Sequence, residues 1–112
     1  MLHTKTNKGY ILRLDRGEDV FAELKKFAQQ EGITAAEFSA IGAVENLEIG
    51  SYDLAKKEYD QRSVPGILEA VSVIGNIALV DPPDGEEGDE LFLHIHGVFS
   101  DAELACFGGH VF

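Results

Sequence analysis

Residues 91–99 read Leu-Phe-Leu-His-Ile-His-Gly-Val-Phe. Alternate side chains of a strand share a face. This run therefore puts Phe92, His94, His96 and Val98 on one side and Leu91, Leu93, Ile95 and Phe99 on the other. The second side asks for a hydrophobic core. The first carries two imidazoles spaced about 6.5–7 Å apart along the backbone. At that spacing both side chains can reach one ion at nitrogen distances of about 2.0–2.1 Å.

A third imidazole follows in Cys106-Phe107-Gly108-Gly109-His110-Val111-Phe112. If the two segments form a hairpin with a three-residue loop at Asp101 to Glu103, Ser100 pairs with Leu104 and His94 falls opposite His110. All three rings then share a face. A loop of even length puts His110 on the wrong face unless a bulge restores it, and Gly108-Gly109 is the natural place for one. Three neutral imidazoles on a hairpin form a zinc-type ligand set with a fourth position open to a small ligand. Nickel, iron and copper accept the same nitrogens. The plainer alternative is three separate polar residues on an exposed face. Gly108 and Gly109 also let a ligand approach the backbone. Glu69, between Leu68 and Ala70, either faces solvent or serves as the carboxylate that orients a ligating histidine or takes a proton at the site. His3 stands apart near a frayed terminus and receives no role.

The rest of the chain frames this hairpin. Gly9 to Asp15 alternates as a strand, and Arg16-Gly17 turns it. Val20, Phe21, Leu24, Phe27 and Ala28 recur at helical spacing within 18–31, with Glu18 and Asp19 at the start and Gly32 at the stop. Strand-like runs follow at Ala36 to Ala43, Val44 to Tyr52 and an edge-like Lys56 to Val64, closed by Pro65-Gly66. Ile67 to Ser72 and Ile74 to Asp81 read as two runs divided near Gly75-Asn76, and Leu104 to Phe112 closes the chain. One long helix and about seven short strands predict a single α+β domain over 1–112, the helix packed on a mainly antiparallel sheet.

Composition narrows the function classes. A chain of 112 residues fits one domain. No run approaches the ~20 apolar residues of a membrane span, and no apolar signal core follows Met1, so the expected compartment is cytoplasmic. Acidic residues outnumber basic ones 20 to 9, for a net charge of −11. Duplex binding draws on neutralised phosphates, so the isolated chain is not expected to bind nucleic acid directly. The acidic run Asp84 to Glu90 reads as a solvated loop. The lone Cys106 reads as a small core residue, with a fourth ligand or a reactive thiol as the alternative. No Gly-x-Ser-x-Gly elbow, P-loop or Gly-x-Gly-x-x-Gly fingerprint is present, so no reaction is assigned.

The sequence resembles the PPC domain, the plant- and prokaryote-conserved domain that plant AT-hook proteins carry. The likeness runs through Leu12 to Asp19, Ser39 to Val44, Gly66 to Ile77, His94-Ile95-His96 and Gly108-Gly109-His110. It implies an α+β fold assembled as a homotrimer, with the prokaryotic members using the three histidines for a metal, zinc or another divalent transition metal. It also brings the label of predicted DNA-binding protein, which the acidic charge and the missing Arg-Gly-Arg-Pro hook oppose. The chain departs from the family in ending at Phe112, short of a further strand. Two readings follow: a metal-binding domain with a small-molecule ligand, and a non-catalytic interaction or regulatory module.

Overall fold

Eight strands and one helix follow one another in the order β1 (Leu2–Thr6), β2 (Gly9–Arg13), α1 (Val20–Gln30), β3 (Ala36–Val44), β4 (Leu47–Asp53), β5 (Glu58–Val64), β6 (Leu68–Val80), β7 (Glu90–Ser100) and β8 (Cys106–Val111). The computed structural model describes residues 1–82 and 87–112. Residues 84–86 of the expected acidic loop lie outside the described residues. Glu90, at its end, opens β7 and accepts a hydrogen bond from Lys25 at 3.0 Å. No described helix is long and apolar enough to cross a membrane.

The chain divides into two compact units, 1–34 with 79–92, and 35–78 with 93–112. In the first, β1 and β2 form an antiparallel hairpin, Leu2 opposite Arg13 and Thr6 opposite Gly9. This strand replaces the frayed terminus expected around His3. Asp19 caps the helix, its carboxylate accepting from the Ala22 amide at 2.7 Å, a bond whose loss typically costs about 0.5–2 kcal/mol. Leu24, Phe27 and Ala28 of the expected stripe are buried. Phe27 packs edge-on against His3 and Tyr10, each with ring centroids 5.0 Å away.

The second unit holds a six-stranded sheet in the order β3-β6-β7-β8-β4-β5. Leu47, Ile49, Leu68, Ala70 and Phe99 form a buried cluster on one of its faces. β7 follows the alternation read from its sequence: Leu93, Ile95, Gly97 and Phe99 are buried, while His94, His96 and Val98 are exposed. The fold is α+β with a mainly antiparallel sheet, as expected, with eight strands where about seven were read.

One expectation about glycine changes here. Gly75 does not divide two strands, because β6 runs unbroken from Leu68 to Val80. A Cβ at Gly75 would stand 2.4 Å from the Phe38 ring and 2.9 Å from the His94 carbonyl oxygen. The glycine there makes room for a neighbour's ring. The irregularity of β6 lies elsewhere. Between the pairs Ala40–Val73 and Gly42–Ala70, β6 spends one residue more than β3, and the successive side chains Val71 and Ser72 are both exposed. An extra residue in one strand produces this kind of bulge.

Candidate metal centre

The β7–β8 hairpin supplies the site. Its register runs without interruption from Ser100–Cys106 through His96–His110 to Ile95–Val111. The connection thus takes residues 101–105 rather than 101–103, and His110 stands opposite His96 rather than His94. Asp101 explains the longer loop. Its carboxylate accepts from the amides of Glu103 at 2.9 Å and Ala105 at 3.0 Å, and its own amide donates to the Ala105 carbonyl at 3.1 Å. Both loops are odd in length, so the shift by two residues keeps His110 on the imidazole face. No bulge forms at Gly108-Gly109. A Cβ at Gly108 would lie 2.8 Å from the Gly97 carbonyl oxygen, and one at Gly109 would lie 2.6 Å from that of Gly50. These glycines allow close backbone approach between β8 and its neighbours β7 and β4.

Ring centroids of the three histidines are 4.9 Å apart for His94–His96, 5.1 Å for His94–His110 and 5.4 Å for His96–His110. One nitrogen from each lies within 4.8 Å of the others, and this is the metal-capable group found among the described residues. The His94 and His96 Nε2 atoms are 3.2 Å apart. Two nitrogens each about 2.0–2.1 Å from a tetrahedral ion are separated by about 3.3–3.4 Å. The pair on β7 is therefore already at ligand spacing, and an ion would draw the wider side of the triangle inward. His94 and His96 are exposed, and His110 is half-buried.

Electrostatics disfavour a charged His110 ring. Burial pushes the His110 imidazole below its ordinary value of 6.5, and the neighbouring His94 and His96 push it further in the same direction. The His110 Nδ1 atom is buried without a hydrogen-bond partner among the described residues. Leaving such an atom unsatisfied costs about 1–3 kcal/mol. Three convergent imidazoles with an incomplete polar atom fit a divalent transition metal.

The other candidates separate from this cluster. Glu69 is exposed on β6, pairs with Ala43 of β3 and lies outside the group. Cys106 is exposed, not core. As the strand residue paired with Ser100 it sits at the loop end of β8, and its Sγ approaches the Leu104 carbonyl at 3.8 Å. What the sequence reading missed is aromatic. Tyr59 and Phe112 each place a ring centroid 4.7 Å from that of His110. The signal was present in the Tyr52 and Tyr59 of two successive strands, which pair across the sheet, but it needed the register of β4 and β5 to be read.

The family model of the Plants and Prokaryotes Conserved (PCC) domain matches residues 1–112. The chain belongs to the PCC domain family. Among solved structures, this PCC domain is similar to a plant- and prokaryote-conserved (PPC) protein of Pyrococcus horikoshii at 35% identity and TM-score 0.79, over 89% of this chain and 65% of that one. It is similar to a metal-containing protein of Archaeoglobus fulgidus at 38% identity and TM-score 0.74, over 90% and 66%. A candidate DNA-binding protein of Ralstonia eutropha matches at 28% identity and TM-score 0.82, over 97% and 70%. The PCC domain thus spans about two thirds of the length of these structures. No curated protein matches it.

Proposed function

We propose that this PCC domain binds a divalent transition metal, zinc first among them, through His94, His96 and His110, and offers the remaining coordination position to a small ligand. The observation that carries the reading is the convergence of one nitrogen from each of the three rings within 4.8 Å. The metal-containing description of the Archaeoglobus relative supports it. When bound, such an ion supplies Lewis acidity toward an anionic or carbonyl group. The chain's own contributions are distinct. β7 holds two rings on one exposed face, β8 sets the third, and the burial of His110 disfavours a competing proton on its ring. The exposure of His94 and His96 leaves the site open to a ligand.

A second reading is a non-catalytic interaction or regulatory module in which the metal is structural. The description of the Ralstonia relative as a candidate DNA-binding protein favours it. Assembly as a homotrimer is compatible with both readings. It draws support from Ile41, Ile67 and Ile74, which are 84%, 72% and 62% exposed. Aliphatic side chains of that exposure are candidates for subunit contact.

Chelation separates the readings. If the site serves a ligand, chelator-stripped protein stays folded by circular dichroism, and its cobalt-reloaded form changes its visible spectrum on addition of azide. Unfolding on stripping, with no azide response after reloading, would favour the structural role.

A further inference from the structure

The imidazole of His110 packs against two mutually touching aromatic rings drawn from different parts of the sheet. Tyr59 belongs to β5, two strands away from β8, and reaches across β4 to lie 4.7 Å from His110 at an interplanar angle of 34°. Phe112 follows β8 and lies 4.7 Å away at 63°. The Tyr59 and Phe112 rings meet each other at 5.0 Å and 89°, and Tyr52 backs Tyr59 at 5.1 Å and 70°. Gly50, the β4 partner of His110, leaves room for both neighbours: a Cβ there would lie 2.4 Å from the Asp60 carbonyl oxygen of β5 and 3.0 Å from the Phe112 ring.

We infer that Tyr59 is a positioning residue for the third metal ligand. The χ2 torsion of histidine has a broad, roughly two-fold profile, so an unsupported ring samples orientations that face away from His94 and His96. Rings packed on it remove that freedom before the ion arrives. A metal-bound imidazole also carries positive charge, and an aromatic face attracts it. The contribution is one of ring and face, since the Tyr59 hydroxyl makes no hydrogen bond to another described residue. The inference rests on the three-histidine reading above, and it concerns the affinity of that site rather than its existence.

The test is calorimetric titration of zinc into chelator-stripped wild type, Tyr59→Phe, Tyr59→Leu, His110→Ala and the double variant Tyr59→Leu/His110→Ala. Leucine keeps apolar bulk on the strand while removing the ring. Tyr59→Phe is expected to stay within about twofold of wild type and Tyr59→Leu to bind about tenfold more weakly, the range found when groups behind a metal ligand are lost. The double variant should bind no more weakly than His110→Ala. Wild-type affinity in Tyr59→Leu, or an equal loss in the His110→Ala background, would overturn the inference while leaving the metal reading intact. A metal-free readout accompanies it. The His110 ring protons, shifted by the Tyr59 ring packed against them, should move downfield in Tyr59→Leu and not in Tyr59→Phe. If wild type takes up no zinc, the metal reading fails by itself. Ring protons unmoved in Tyr59→Leu would then remove the positioning role as well.

Discussion

His96 and His110 are strand partners on adjacent antiparallel strands, with ring centroids 5.4 Å apart. That pairing brings the third imidazole to the two on β7, and its register is held by backbone contacts that leave no room for a side chain.

The closeness of those strands predicts the cost of filling it. A Cβ at Gly109 would meet the Gly50 carbonyl oxygen at 2.6 Å, and backbone cannot swing aside as a flexible side chain can. Gly109→Ala should destabilise the fold by about 1–3 kcal/mol, read as a lower midpoint in urea denaturation. An unchanged midpoint would mean that β4 and β8 are not apposed in this way.

Acid should weaken the metal-free protein through His110. Burial and the two neighbouring imidazoles hold its folded value below 6.5, so near that pH the unfolded chain binds more protons than the folded one. Stability linked to this group is therefore complete above the ordinary imidazole value and is lost as pH falls through the lowered folded value. Zinc affinity should fall over the same interval, since the ligands must be neutral. Urea midpoints and zinc titrations across pH 5 to 8 would check both trends. His110→Phe should flatten the first. A wild-type midpoint that rises on acidification there would contradict the account.

How much of this was legible beforehand differs between the fold and the site. The alternation in β7 predicted which side chains are buried, because a period of two translates directly into faces. The imidazole face was legible for the same reason. The loop length was not. Asp101 closes the turn with three hydrogen bonds to and from residues two and four further on, and the sequence does not say which of several odd-length loops a hairpin selects. Gly75 and Gly108-Gly109 were misread as a break and a bulge because glycine has two meanings in a strand. One concerns torsion freedom and the other close approach, and only the neighbouring strand distinguishes them. The aromatic wall around His110 was hidden for a related reason: Tyr59 and His110 are 51 positions apart and meet only through the order β8-β4-β5.

Charge gives a prediction about nucleic acid. With a net charge of −11, the isolated chain lacks the phosphate-neutralising term that dominates non-specific duplex binding. Electrophoretic mobility shifts with random-sequence duplex should show no complex at low salt. A complex that dissociates steeply as salt rises would contradict this and revive the DNA-binding reading.

The most direct measurement is elemental analysis of the purified protein, wild type beside His94→Ala, His96→Ala and His110→Ala, each confirmed folded by circular dichroism. Wild type should carry about one transition-metal ion per chain, and each single variant should lose most of it. Metal content equal in wild type and all three variants would show that these imidazoles do not hold the ion.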